Sequence, residues 1–218
     1  MFILGLTGSI GMGKTWGAKC FRHFGVPVHD ADACVHSLLA PGGAGVNRVA
    51  TAFPGVLSDD GGVDRARLSN RVLCDDDALD TLEAILHPMV HERQREFLAM
   101  HARRAAPLVV LDVPLLYETH GRARTDAVVV MSAPEFLQRR RALRRPGMTA
   151  KKLDAVLSRQ TPDAVKCRVA EFVVSTAGPR GQSLRAIAAI VKVTRTLKGD
   201  VWSPAWGRFN HHRTTLHA

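Results

Sequence analysis

Residues 8–15 read Gly8-Ser9-Ile10-Gly11-Met12-Gly13-Lys14-Thr15, which fits the phosphate-binding pattern G-x-x-x-x-G-K-[ST]. The apolar run 2–6 precedes this stretch and a potential helix, 15–24, follows it, so the pattern has the strand–loop–helix context that it requires. Glycines let the backbone approach a polyphosphate closely, and the helix N-terminus adds partial positive charge. A glycine-rich turn that binds nothing is the alternative, which the spacing disfavours. The stretch therefore predicts a nucleoside triphosphate site.

The chemistry of phosphoryl transfer predicts roles for three side chains. Lys14 can reach the β- and γ-phosphates, and the Thr15 hydroxyl can ligate Mg²⁺. Asp112 ends the apolar run Leu108-Val109-Val110-Leu111, a Walker B pattern in which the carboxylate holds Mg²⁺, often through water. A turn residue at the end of a strand is the alternative for Asp112. The sequence thus predicts a magnesium site at Thr15 and Asp112.

Strand and helix patterns alternate along the 218 residues. Apolar runs of β-forming residues predict strands, and they occur at 2–6, 26–29, 108–112, 127–131 and 172–175. Alternating strands and helices are typical of an α/β fold with a parallel sheet. Pro88 predicts a kink or a break in a long helical segment. Residues 199–218 show no period and are predicted to form a flexible tail.

Composition restricts the class of protein and its partners. A formal net charge of +10 favours anionic partners, either nucleic acid or a polyphosphorylated small molecule. The basic residues are not interleaved with aromatics, and one Tyr and three Trp offer few stacking surfaces for single strands. The four cysteines form no C-x-x-C pair, and no apolar run approaches 18 residues. We therefore expect a cytoplasmic protein without a membrane span.

Three further positions are candidates for the chemistry of transfer. Asp32 follows the second strand, where a carboxylate can accept the proton of an attacking hydroxyl; a helix N-cap is the alternative. Arg141 and Arg145 lie four apart in a basic helical run that resembles a mobile lid over phosphates, although a solvated charged face is also possible. His87 is either a substrate contact or a helix-end histidine, and the residues alone favour the second.

Several stretches together resemble the dephospho-CoA kinase family. The resemblance lies in residues 5–15, Asp30-Ala31-Asp32, Gly62-Val63-Asp64-Arg65, Leu86-His87-Pro88, and Asp112-Val113-Pro114-Leu115-Leu116-Tyr117-Glu118. Arg141, Arg145, Gln160 and Lys166 fall at the spacing of that family's lid. The match covers roughly residues 2 to 195, and the His-Pro and Pro-Leu-Leu elements make it more specific than a phosphate loop alone.

The resemblance implies transfer of the γ-phosphate of ATP to the 3′-hydroxyl of dephospho-CoA, the last step of coenzyme A synthesis. It implies a P-loop nucleotide-kinase fold, a parallel sheet flanked by helices, over residues 1–198. The expected layout is a core at 1–58, 106–138 and 171–198, a helical acceptor-binding region at 59–105, and a lid at 139–170. ATP and dephospho-CoA are the expected partners, nucleic acid is not, and we expect a monomer or a weak homo-oligomer.

Carried over by position, the resemblance also implies roles for individual residues. The catalytic residues would be Asp32, Lys14 and Arg141. The ATP-binding residues would be Gly8, Ser9, Ile10, Gly11, Met12, Gly13, Lys14, Thr15, Trp16, Arg145 and Thr176. The substrate-binding residues would be Asp32, Arg65, His87, Pro114, Leu115, Leu116 and Glu118.

The chain also departs from the family pattern and leaves rival functions open. After the lysine the family usually has Ser-Thr or Thr-Thr, whereas here Thr15 is followed by Trp16, and Thr176 replaces an asparagine associated with the ATP base. A nucleoside or nucleotide kinase would share the loop and the lid but not the Pro-Leu-Leu-Tyr-Glu stretch. A GTP-binding switch would use a D-x-x-G such as 59–62, but the chain has no N-K-x-D. A basic ATP-dependent nucleic-acid protein would bind DNA or RNA with strong salt dependence.

Overall fold

The computed structural model describes residues 1–72, 75–204 and 206. The chain divides into two compact units. Residues 1–29 and 98–218 form the first, here called the sheet unit, and residues 30–97 form the second, here called the helical unit. The predicted boundaries of core, acceptor region and lid stay predictions.

Within the described residues, the strands form one five-stranded parallel sheet. They are β1 (Phe2–Thr7), β2 (Val28–Asp30), β3 (Leu108–Asp112), β4 (Ala127–Ser132) and β5 (Phe172–Ser175). The order is β2-β3-β1-β4-β5, with β1 paired in parallel to β3 and β4, and β4 paired in parallel to β5. This confirms the predicted α/β class. Parallel pairing also brings the carboxyl ends of β1, β3, β4 and β5 to one edge of the sheet, where ligands bind in such folds.

The helices fill the connections between strands. They are α1 (Lys14–His23), α2 (Ala31–Leu39), α3 (Val46–Ala52), α4 (Arg65–Val72), α5 (Asp76–Arg103), α6 (Glu135–Leu143), α7 (Ala150–Ser158), α8 (Asp163–Val169) and α9 (Arg180–Thr194), with a 3₁₀ turn at Gly121–Arg124. The predicted possibility of a break at Pro88 is wrong, since α5 continues through it. Leu82, Ile85 and Leu86 pack into the core of the helical unit, and this packing offsets the cost of about 3 kcal/mol that an internal proline brings.

Each face of the sheet has its own apolar layer because side chains alternate along a strand. On one face, Leu4, Leu6 and Met131 pack against α1 and α9 through residues such as Phe21 and Ile187. On the other face, Val128 and Val130 pack against Leu116 and the α8 residue Cys167. The helical unit has a separate core, built around Leu39, Val49, Phe53, Val63 and Leu86.

The described part of the segment after α9 is packed on the protein, unlike the flexible tail predicted from the sequence. The carboxylate of Asp126 accepts hydrogen bonds from the backbone N–H groups of Asp200 at 2.8 Å and Val201 at 3.0 Å. The indole of Trp206 is 1% exposed and donates to the carbonyl of Arg124 at 3.3 Å. Residues 199–204 and 206 are therefore packed on the sheet unit, and the remainder of the predicted tail lies outside the described residues. No helix within the described residues is both long and apolar enough to cross a membrane.

Candidate active site

The phosphate loop lies between β1 and α1 at the carboxyl edge of the sheet. Gly11 and Gly13 have φ angles of 78° and 90°, which are left-handed values that glycine adopts without strain. A Cβ atom at Gly11 would come within 2.6 Å of the Gln138 carbonyl, so the loop could not pass there with a larger residue. Gly13 is the N-cap of α1, and the first N–H groups of this ten-residue helix face the loop. The geometry is that of an anion-binding helix N-terminus.

Lys14 and Asp112 form a close ion pair at the base of this loop. The Lys14 ammonium donates to Asp112 Oδ1 at 2.6 Å, and the Asp112 side chain is 2% exposed. The sequence predicts Lys14 on phosphates and Asp112 on Mg²⁺, and the structure brings the two together. Thr15 is exposed in the first turn of α1, next in sequence to Lys14. The roles of Lys14, Thr15 and Asp112 toward phosphate and Mg²⁺ stay predictions.

Thr176 supports the phosphate loop from the end of β5. Its hydroxyl donates to the Met12 carbonyl at 2.9 Å, and it accepts from Arg141 Nη1 at 2.9 Å. Arg141 Nη2 donates to the Thr176 carbonyl at 2.7 Å. The hydroxyl is therefore engaged on both sides. The family resemblance implies that Thr176 binds ATP and that Arg141 lies on the phosphates, and the structure adds a contact between these two residues.

The lid arginines do not share one helical face. Because α6 ends at Leu143, Arg145 lies beyond the helix and is exposed, so the predicted alignment of Arg141 with Arg145 is wrong. Arg139 forms an ion pair with Asp154 of α7 at 2.8 Å. Arg139 pairs with Asp154 and Arg141 is bonded to Thr176, whereas Arg140, Arg144 and Arg145 are exposed. The lid role and the alternative of a solvated charged face therefore both stay predictions.

Trp16 joins α1 to the start of α9. Its indole N–H donates to Ser183 Oγ at 2.9 Å, and the Arg180 guanidinium lies 5.0 Å above the ring in a cation–π contact. The sequence predicts a contact of Trp16 with ATP. The structure adds a packing role that explains how an indole is accommodated where the family has a small hydroxyl residue.

Two glutamines that the sequence analysis did not assign to the site hold the loop at Ile10. Gln138 Nε2 donates to the Ile10 carbonyl at 3.0 Å, and the Ile10 N–H donates to Gln160 Oε1 at 3.2 Å. For Gln160, the lid spacing within the family resemblance was the available signal. Gln138 carried no such signal, because a glutamine in a basic helical run has no distinctive pattern.

The loop after β3 combines packing and polar roles. The Pro114 carbonyl accepts from Thr7 Oγ1 at 2.9 Å, which fixes the start of this loop to β1. Leu116, predicted to bind substrate, is 1% exposed and packs in the sheet core, whereas its neighbour Leu115 is half-buried. Glu118 is paired with Lys166 of α8 at 2.9 Å.

The helical unit holds the remaining predicted residues. Asp30 is the N-cap of α2 and accepts from the Ala33 N–H at 3.0 Å, so the alternative that Asp32 caps this helix is wrong. Asp32 lies in the first turn of α2 and is exposed. Arg65 is the exposed first residue of α4.

His87 lies within α5 and not at its end, so the helix-end alternative is wrong. Its Nε2 is 4.0 Å from a carboxylate oxygen of Glu83, and its ring stacks with His91 at 6.2 Å between centroids. The predicted substrate contacts of His87, Arg65 and Asp32 stay predictions.

Comparison with known proteins gives one consistent family. A model of the family described as dephospho-CoA kinase matches residues 2–179. A dephospho-CoA kinase of Paramagnetospirillum magneticum is 59% identical over 166 residues, covering 76% of this chain and 78% of the relative. One from Mesorhizobium japonicum is 51% identical over 191 residues, covering 88% and 93%.

A solved structure is similar to this chain over most of its length. The crystal structure of the protein TT1252 from Thermus thermophilus is 31% identical, with a TM-score of 0.75 over 88% of this chain and 97% of that one. The P-loop kinase fold predicted from the sequence is thereby confirmed. The chain belongs to the dephospho-CoA kinase family.

Proposed function

We propose that this protein transfers the γ-phosphate of ATP to the 3′-hydroxyl of dephospho-CoA, giving coenzyme A and ADP in the last step of coenzyme A synthesis. The observation that carries the proposal is the identity of 51–59% to dephospho-CoA kinases over most of the chain. The phosphate loop, with the Lys14–Asp112 pair at its base, supplies the matching donor chemistry.

On the donor side, the loop backbone and the N-terminus of α1 hold the phosphates. When ATP binds, the Lys14 ammonium would leave Asp112 and contact phosphate oxygens of ATP instead. Its positive charge would then stabilise the negative charge that develops on the phosphates during transfer. Arg141 and Arg145 would add cations to the phosphates, as the family resemblance implies. For Arg141 this requires that at least one of its two hydrogen bonds to Thr176 opens or is shared.

The residues present fit a magnesium ion at Thr15 and Asp112. Both side chains offer oxygen atoms, which Mg²⁺ prefers, and Mg²⁺ commonly takes only one or two carboxylates together with water and phosphate oxygens. Bound there, the ion would neutralise phosphate charge.

On the acceptor side, Asp32 would be the general base. With the cap of α2 supplied by Asp30, the Asp32 carboxylate is not needed for helix capping. It would take the proton of the 3′-hydroxyl as that oxygen attacks phosphorus, and the phosphate–ADP bond breaks in line with the attack. Arg65, His87, Pro114, Leu115, Leu116 and Glu118 remain the proposed acceptor contacts. The cytoplasmic location and the monomeric or weakly associated state stay predictions from the sequence.

A coupled assay of ADP release tests the proposal directly. Dephospho-CoA, adenosine and nucleoside monophosphates are offered as acceptors with ATP and Mg²⁺, and turnover is expected with dephospho-CoA. Activity on a monophosphate without activity on dephospho-CoA would favour the nucleotide-kinase alternative and contradict the proposal.

The role of Asp32 is tested in the same assay. Asp32→Asn removes the proton acceptor, so we expect kcat to fall at least about 100-fold while ATP still binds. Asp80→Asn is the matched control, because it removes an exposed carboxylate from α5 in the same unit and changes the net charge equally. A rate near the wild-type value for Asp32→Asn would exclude Asp32 as the base.

A further inference from the structure

Lys166 places an ammonium group in the interior of the sheet unit. Its side chain is 0% exposed, although it belongs to the short helix α8, whose neighbouring residues are partly exposed. Burying an unpaired ammonium is very costly, so such a group needs a carboxylate and further hydrogen bonds. The partners of Lys166 therefore indicate what the buried charge does.

Those partners come from two other loops of the sheet unit. The ammonium lies 2.9 Å from Glu118 Oε1, at the end of the loop after β3, and 3.4 Å from Ser9 Oγ in the phosphate loop. The same Glu118 oxygen accepts from the Thr161 N–H at 2.7 Å. A single buried cation thus joins the phosphate loop, the loop after β3 and α8.

Glu118 is the charged partner of this ammonium. Burial by itself would raise the pKa of Glu118, but the hydrogen bonds from Lys166 and from backbone N–H groups bring that pKa below its ordinary value. The other carboxylate oxygen, Oε2, is buried and accepts no hydrogen bond from the part of the chain that the structure describes. The lowered pKa favours the carboxylate form of Glu118 beside the Lys166 side chain.

A purely stabilising role accounts poorly for this arrangement. Buried ion pairs can often be replaced by apolar residues of similar volume with little loss of stability. Here the ammonium touches the second residue of the phosphate loop, and Gln160 of the same segment holds the next residue, Ile10, at 3.2 Å. Both contacts act on the part of the loop that approaches the phosphates.

We propose that Lys166 is a positioning residue for phosphoryl transfer, which acts through Ser9 and Glu118 to hold the phosphate loop and the Pro114–Glu118 loop in register. The proposal rests on the proposed function, because it assigns the second loop to the acceptor. Lys166 need not touch either substrate. Misplacing reacting groups by about 1 Å can cost about 100-fold in rate, which sets the expected effect.

The first experiment separates positioning from binding and from folding. Lys166→Met keeps the length of the side chain and removes its charge, and we expect kcat with dephospho-CoA to fall about 100-fold, the scale for misplaced groups. The affinity for ADP, titrated without acceptor, should stay within about threefold of the wild-type value, because the lost interaction matters mainly in the transition state.

Ser9→Ala should lower kcat about tenfold, the scale of one hydrogen bond, without lowering the melting temperature. A wild-type kcat in Lys166→Met would overturn the proposal.

A double-mutant cycle keeps the test decisive if Lys166→Met folds poorly. Glu118→Gln alone leaves the buried Lys166 ammonium without its counter-charge and changes a proposed acceptor contact, so it should lower both the melting temperature and kcat. Lys166→Met combined with Glu118→Gln removes both buried charges and should regain melting temperature, while kcat remains as low as in Lys166→Met. Recovery of kcat together with melting temperature would show a merely structural pair and overturn the proposal.

Two controls complete the experiment. Arg122→Met breaks the partly exposed pair of Arg122 with Glu171 in the same unit, and it should leave kcat unchanged. Wild-type turnover with dephospho-CoA is measured first, and its absence would contradict the proposed function and not the positioning role. In that case ADP release with any accepted phosphoryl acceptor provides the kcat for the same variants, and an unchanged value would still overturn the role of Lys166.

Discussion

At the scale of single residues, Thr176 shows how one hydroxyl can serve both the phosphate loop and the lid. It donates to the Met12 carbonyl and accepts from Arg141, so its hydrogen-bonding capacity is used in both directions. The hydroxyl has one proton, which goes to a carbonyl of the protein. Thr176 therefore holds the loop, whatever further contact it makes with nucleotide.

This role predicts the effect of Thr176→Val. Valine keeps the shape but leaves the Met12 carbonyl without this donor and Arg141 with one bond fewer, and each such loss is worth about 1–3 kcal/mol. We expect kcat/KM for ATP to fall about tenfold, which corresponds to about 1.4 kcal/mol of transition-state stabilisation. Steady-state kinetics with varied ATP measures it.

Thr194→Val is the matched control for this change. Thr194 is also buried, but its hydroxyl donates within α9 to the Ile190 carbonyl at 2.8 Å, away from the phosphate loop. Its kcat/KM should stay near the wild-type value. Equal losses in both variants would mean that general destabilisation, and not the loop contact, explains Thr176→Val.

The sequence predicts which residues belong to the donor site better than it predicts their partners. Lys14 and Asp112 were both expected from local patterns, but their ion pair joins positions 98 residues apart. Arg141 and Thr176 are 35 residues apart, and Lys166 and Ser9 are 157 apart. No periodicity or spacing specifies such contacts, since they depend on how strands and loops are placed by the sheet.

At the scale of elements, the predicted lid consists of parts that are held differently. The segment with α8 is attached to the sheet unit by Lys166, by Gln160 and by the hydrogen bond from Ser132 to Asp163 at 2.6 Å. By contrast, α7 buries only Leu153 among its residues, and its ion pair is made with α6. The mobile part of the lid is therefore expected to centre on α7.

Hydrogen exchange tests this difference between the two helices. We expect amides of 150–158 to exchange at least about tenfold faster than those of 163–169, because local opening of α7 exposes less buried apolar surface and breaks fewer contacts. Peptides from α9, packed in the sheet core, provide the reference for slow exchange. Equal protection of α7 and α8 would contradict a lid that moves at α7.

Element boundaries also show where local patterns stop being informative. The strands at 108–112 and 172–175 were predicted with their observed bounds, because both are short apolar runs between polar turns. The course of α5 through Pro88 was not predictable from the proline alone. Its continuation depends on packing of Leu82, Ile85 and Leu86 against α3 and its neighbours, which the local sequence does not reveal.

At the scale of the whole molecule, the C-terminal segment packs on the sheet unit at the end of the strands opposite the phosphate loop. Asp126, just before β4, accepts hydrogen bonds from the Ile3 N–H at 2.6 Å and from Asp200 and Val201. Trp206 is buried beside the Arg124 carbonyl. The start of the C-terminal segment is thereby tied to the amino-terminal ends of β1 and β4, far along the strands from the catalytic edge.

Trp206→Ala separates this structural role from catalysis. Removing a buried indole should lower the free energy of unfolding by about 3–5 kcal/mol, which urea denaturation followed by circular dichroism measures. Trp202→Ala is the matched control in the same segment, and a smaller loss is expected because Trp202 is only partly buried. In both variants KM for ATP should remain near the wild-type value at temperatures where the protein is folded. A changed KM, or equal stability losses at the two positions, would mean that the segment does not act as a local anchor for the sheet.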